Sequence, residues 1–258
     1  MTDAERVWTA VCAAWERLCG VLEDARFERR PGYVWTVCPP VPVPAFNGAW
    51  PEDDSAAPAL AGALGEIDAL DLPHSIQVRR GRTPACETEA ERLGLMLEAE
   101  TPAMIVRPDE LHGVDVPNLR ILRATTPDAL AQALATAADA FGAPPELFTA
   151  LYGLEVTELE GLVVYLGRAG EEDVSTAIGY TVEGTTGIFN VATPSAHRGR
   201  GYGAALTTCA VREGFAAGAE FGWLQSSEIG HSVYRRLGFR TVDTYLLYAP
   251  PEAPFAEL

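Results

Sequence analysis

Val7, Val11, Ala14, Trp15, Leu18 and Leu22 recur every three or four residues, the spacing that lines one face of a helix, and they predict one from Ala4 to about Ala25. A strand is expected next, at Tyr33–Val37. The stretch PPVPVPAFNGAWPEDDSAAP, residues 39–58, reads as an irregular connection with room for an edge strand, since proline cannot donate to a central ladder. A helix should follow from Ser55 to Leu70, capped by Asp54 or Ser55. Further on, LRILRAT (119–125) alternates as a strand, and an alanine-rich helix is expected from Pro127 to Phe141 behind Thr126 or Asp128. Pro145–Leu159 predicts one or two short helices. GLVVYLGR, DVSTAIGYTVEG and TGIFNVAT then supply three strands that should pair as an antiparallel meander.

Two stretches echo each other across half the chain. AERLGLMLEAETPAMIVRP (90–108) and YRRLGFRTVDTYLLYAPP (234–251) both read as a helix closed by RLG and followed by two strands. Each comes after a helix and a short strand, HSIQV (74–78) and FGWLQ (221–225). The repeat predicts two related α/β (α+β) domains, residues 1–115 and 116–258, with RPDELHGVDVPN (107–118) at the boundary.

Composition narrows the chemistry. The formal charge of -17 over 258 residues opposes general affinity for nucleic acid or anionic lipid. No apolar run approaches the roughly 20 residues that span a bilayer, and no positive segment followed by an apolar one opens the chain, so a cytoplasmic protein is expected. The five cysteines form no CxxC pair and read as reduced thiols in the core. The four histidines show no metal-ligand spacing, so no metal is expected. All 19 basic residues are arginine, which excludes a Schiff-base lysine and a P-loop lysine together.

In HRGRGYGAAL, residues 197–206, Gly199, Gly201 and Gly203 allow close backbone approach, and a helix opening at about Gly201 aims its unpaired N–H groups at a ligand. Arg198 and Arg200 add fixed charge that can fork onto phosphate oxygens. A diphosphate fits. Gly199, Gly201 and Ala204 also match the dinucleotide fingerprint GxGxx(G/A), but that motif needs a strand running straight into its first glycine, and PSAHR intervenes here.

Element order and letters together resemble the GNAT superfamily of acyl-CoA-dependent N-acyltransferases. Its signature (R/Q)xxGx(G/A) is met by Arg198, Gly201 and Gly203, and its tyrosine four residues before GF by Tyr234, Gly238 and Phe239. The resemblance covers Leu119 to about Tyr248 and implies two GNAT-like domains, each a mixed, mostly antiparallel sheet flanked by helices. It implies acetyl-CoA as cosubstrate, its pyrophosphate held at Arg198, Gly199, Arg200, Gly201, Tyr202 and Gly203. The pantetheine arm would pair with main-chain groups of Val191 and Thr193 where the fourth and fifth strands splay. The first half carries no such turn and offers Ala90 where the second has Tyr234, so it resembles a degenerate copy without a CoA site.

The activity so implied is acetyl transfer to a primary amine of a small molecule, with Tyr234 as the acid for the departing thiolate and the Val191 N–H as oxyanion donor. Asn190 stands where many relatives place a carboxylate. Glu155 or Glu158 could act as base through water, Glu228 complements a helix dipole, and Ser227 suits an N-cap. Trp35, Phe46, Asn47 and Trp50 are candidate lining residues for an acceptor pocket. A non-catalytic acyl-CoA-binding or sensing module is the alternative, and a nicotinamide-dependent oxidoreductase the weakest rival. The partner expected is a small amine, with a homodimer allowed and not required.

Overall fold

The computed structural model describes residues 1–251; the end of the second expected domain, at 258, lies outside the described residues. The first half contains α1 (Asp3–Cys19), β1 (Arg26–Arg30), β2 (Tyr33–Val37), β3 (Gly48–Pro51), α2 (Leu60–Asp68), β4 (Ser75–Arg79), α3 (Pro84–Arg92) and β5 (Met96–Val106). Next come β6 (Leu119–Arg123), α4 (Pro127–Phe141), α5 (Pro145–Tyr152), α6 (Leu154–Thr157), β7 (Leu162–Ala169), β8 (Glu172–Val182) and β9 (Thr185–Ala192). The chain then forms α7 (Tyr202–Ala216), β10 (Phe221–Gln225), α8 (Glu228–Arg236) and β11 (Arg240–Ala249).

By contacts the chain divides into two units, and they do not follow a single cut at residue 115. One unit takes Met1–Ala14 and Met104–Val242; the other takes Trp15–Ala103 and the chain from Asp243 onward. In the first, β6 to β9 form the expected antiparallel meander and β10 adds in parallel to β9. In the second, β1, β2 and β3 pair antiparallel, β3 and β4 pair parallel, and β11 closes antiparallel on β4. Each unit is thus a mixed, mostly antiparallel sheet with helices packed on it.

Local chemistry explains the boundaries. Thr126 accepts a hydrogen bond from the Ala129 N–H at 3.2 Å, Pro127 occupies the first turn, and Gly142 in the left-handed region closes α4. Pro58 removes a helical donor, so residues 54–59 form a 3-10 turn capped by Asp53 and the α-helix begins only at Leu60, five residues later than expected at Ser55. The cap therefore lies one residue before the nearer of the two expected, Asp54.

Three other expectations need correction. β3 is an interior strand, all four residues buried, because its only proline, Pro51, is the last residue and no donor is missing before it. The RLG repeats are each followed by one long strand rather than two: no glycine, asparagine or proline interrupts Arg240–Ala249, and Pro102 marks where β5 passes from exposed to buried without turning. Both strands change unit along their length, β5 between Ala103 and Met104 and β11 between Val242 and Asp243. Finally, α1 ends at Cys19 rather than near Ala25.

The opening turns of α1 belong with the second-half core through Asp3, whose carboxylate accepts from Arg107 Nη2 at 2.8 Å and also from Arg240. Hydrogen bonds from Arg107 and then Arg240 hold the Asp3 carboxyl down at about 2. A depressed acid contributes stability that is complete above its unfolded value and vanishes as pH falls through its folded one. Asp3→Asn is therefore expected to cost about 1 kcal/mol at pH 7 after solvent screening of this half-exposed cluster. Urea melts of the two proteins should converge as the pH is lowered from about 4 toward 2.

Candidate active site

The site begins where two strands part. Parallel pairing of β9 with β10 ends at Ile188 opposite Leu224, while β9 continues to Ala192. Opposite it the ladder with β8 slips register between Thr176 and Ile178, leaving Asn190 and Val191 without a partner residue. Asn190 takes a φ of 51°, a left-handed value that non-glycine residues adopt mostly at turns and strained sites. Its Nδ2 is enclosed and unpartnered, which costs about 1–3 kcal/mol. The opposite edge of the gap is fixed by Trp223, whose ring meets Phe189 edge-on at 5.2 Å; a Cβ on Gly187 would fall 2.7 Å from both rings.

From β9 the chain passes through a 3-10 turn, Ser195–His197, into Arg198 and the glycines. Gly199 and Gly201 have φ values of 78° and 82°, so both need glycine's freedom. Gly203 lets α7 lie close to β9, since a Cβ there would sit 3.4 Å from Thr193 Oγ1 and Val191 Cγ1. Thr193 Oγ1 is itself tied to Ser175 Oγ at 2.9 Å. The structure thus brings Val191, Thr193 and Gly203 together as one small surface.

The amino end of α7 has no side-chain cap and no acidic residue in its first turn. Its first internal bond is from Ala205 N–H to Gly201 O, so the N–H groups before it are left for an anion. An anionic group such as a pyrophosphate fits this donor set. Arg198 behaves differently from the simple phosphate fork expected of it: Nε donates to Thr193 O and Nη2 to Ala140 O, both at 3.0 Å. It braces the turn between the end of β9 and the last turn of α4. Arg200 Nη2 makes only a long contact, 3.4 Å, to Ala196 O.

Tyr234 stands on α8, which starts at the expected cap, Ser227 Oγ accepting from Gly230 N–H at 3.2 Å. The ring lies over Gly230, where a Cβ would come within 2.8 Å of it, and meets Phe239 edge-on at 5.9 Å. Its hydroxyl has no hydrogen-bond partner among the described residues, and burial pushes the phenol up to about 12. Gly238, at φ 96°, ends the helix so that Phe239 N–H returns to Tyr234 O at 3.0 Å. Both Tyr234 and Val191 pack on the apolar cluster of Ile188, Leu206, Leu224 and Phe239.

Other candidates have structural duties. Asn47 is fully buried, its Oδ1 accepting from Cys38 N–H and its Nδ2 donating to Val41 O and Val43 O. Trp35 Nε1 donates to Ala63 O, Trp50 is buried, and Phe46, half-buried, stacks on Trp15, so Trp35, Asn47 and Trp50 serve the core. Glu155 and Glu158 are exposed. His231 Nε2 is 3.1 Å from Thr241 Oγ1. No three metal-ligating side chains cluster among the described residues, and no helix there is long and apolar enough to cross a membrane. Sequence reading missed Gly187, Trp223 and Ser175; the glycine within a β-forming run was the one visible signal.

Residues 129–239 match the family model of the GNAT acetyltransferases. No curated protein matches the chain significantly in sequence. Among solved structures, a GCN5-related N-acetyltransferase from Kribbella flavida superposes with a TM-score of 0.79 at 21% identity, covering 100% of this chain and 99% of its own. Another from Sphaerobacter thermophilus gives 0.60 at 17% identity, covering 94% and 90%. A tandem GNAT protein from the clavulanic acid biosynthesis pathway gives 0.59 at 12% identity, covering 93% and 94%. At these identities the likeness establishes the fold.

Proposed function

From the match of residues 129–239 to the GNAT acetyltransferase family model, we propose that the protein transfers an acetyl group from acetyl-CoA to a primary amine of a small molecule by direct attack. The observation that carries this reading is the uncapped amino end of α7 beside the unpaired stretch of β9. Acetyl-CoA supplies a thioester acyl group. The N–H groups that open α7 hold its pyrophosphate, and Arg198 keeps them in place by bracing the turn.

The Val191 N–H donates to the negative charge that develops on the thioester oxygen. As the amine nitrogen bonds to the carbonyl carbon and the carbon–sulfur bond breaks, the Tyr234 hydroxyl gives its proton to sulfur and the amine proton leaves to water. The free hydroxyl of Tyr234 supports that role. The degenerate first half, residues 1–115, contributes no second CoA turn in this reading.

Titrating acetyl-CoA in a thermal melt tests it. At about 100 times its dissociation constant the ligand should add roughly 2.7 kcal/mol of stability. No shift at millimolar acetyl-CoA overturns the reading. A shift without release of CoA across a broad amine panel favours the acyl-CoA-sensing alternative, and a shift with NAD instead favours an oxidoreductase.

A further inference from the structure

The stretch of β9 beyond its last pair with β10 holds a side chain whose two polar ends make no hydrogen bond. Asn190 Nδ2 is enclosed without a partner, and its Oδ1 meets none among the described residues. A left-handed φ of 51° favours asparagine among residues with a side chain, ordinarily through a local hydrogen bond that this carboxamide does not make. Glycine adopts that region more readily, and the neighbouring turn uses it at Gly199 and Gly201. The carboxamide needs another reason.

An orphaned amide N–H is less tolerable than an under-satisfied carbonyl. A half-turn at χ2, a broad two-fold torsion, exchanges the two ends, and no protein hydrogen bond opposes it. The turn places the oxygen in the enclosed position and the NH2 at the open one, where it is a donor seeking an oxygen. Asn190 directly precedes Val191, one Cα step of about 3.8 Å away, so a group bound by it lies within a few bonds of the acyl-transfer point.

Resting on the acetyltransferase reading above, we propose that Asn190 is a substrate-positioning residue whose NH2 donates to an oxygen on the carbon next to the acceptor's aminomethyl group. The acceptors are then 1,2-amino alcohols and α-amino carbonyl compounds, with plain alkylamines disfavoured. A carboxamide takes no proton, so the amine loses its proton to water and the rate follows the amine's own titration.

The test uses isosteric pairs with acetyl-CoA: 2-aminoethanol against n-propylamine, and glycinamide against isobutylamine. Counted per neutral amine, the wild type should prefer the oxygenated member about five- to tenfold in kcat/KM, the value of one neutral hydrogen bond. Asn190→Gly keeps the left-handed backbone and should abolish that preference through the acceptor KM, leaving the KM for acetyl-CoA unchanged and the melting temperature no lower. Equal wild-type rates on both members, or a glycine variant that keeps the preference, overturns the proposal. Stabilisation by acetyl-CoA with no turnover of either pair overturns this acceptor class while the cosubstrate reading stands; no stabilisation at all removes both.

Discussion

Tyr234→Phe should lower kcat for acetyl transfer at least about a hundredfold while the dissociation constant of acetyl-CoA moves less than about twofold. The phenol ring is held by packing, over Gly230 and against Phe239, and phenylalanine reproduces those contacts. Only the hydroxyl is lost, and it has no structural partner among the described residues, so stability should hardly change. Because burial raises the phenol to about 12, it keeps its proton throughout the assay range. The alkaline limb of the wild-type rate profile should therefore not arise from Tyr234. Separate measurement of kcat, CoA affinity and melting temperature checks the assignment; a variant with weakened CoA binding and unchanged kcat would overturn it.

Gly238→Ala should have the largest effect on stability, at least about 3 kcal/mol. The residue has a φ of 96°, and an added Cβ would lie 1.9 Å from the Glu110 carbonyl oxygen, a backbone atom that cannot swing aside. Gly199→Ala is the matched control: its φ is 78°, but open space surrounds the position, so only the backbone strain of about 1–2 kcal/mol applies. Urea melts of both should separate them clearly. Equal midpoints would mean that the strand of chain at Glu110 yields. The loss at Gly238 should also reach activity, since the Phe239 N–H bond to Tyr234 O sets the end of α8.

Much of this was legible in the letters, for physical reasons. Thr126 and Ser227 announce helices because a side-chain oxygen there can accept an otherwise unmet N–H, and both do so. Runs bearing valine and isoleucine between turn residues mark the three meander strands, of which β8 is buried on both faces from Val174 to Tyr180, and the glycines of HRGRGYG mark backbone that other residues resist. What escaped depends on partners distant in sequence. Arg198 reads as free charge until Ala140, 58 positions away, supplies a carbonyl for it. β3 reads as a connection because its neighbours, Tyr33–Thr36 and Ser75–Ile76, cannot be inferred from its own four residues. Trp35 and Asn47 looked available because burial is a property of the fold and not of the residue. The φ of Asn190 comes from a register slip opposite Ala177, which no local pattern encodes.

The late arrival of β11 has a consequence for biosynthesis. Residues Ile76–Arg79 pair with Tyr245–Tyr248, and Arg79 also meets Asp243, buried, across 164 positions of sequence. At about 5–20 residues per second, β4 leaves the ribosome roughly 8–30 s before the strand that covers it. Through that interval its open edge exposes unpaired main-chain groups and the apolar side chains of Ile76 and Val78. Slow translation between Arg79 and Asp243 should prolong the exposure of this edge to aggregation.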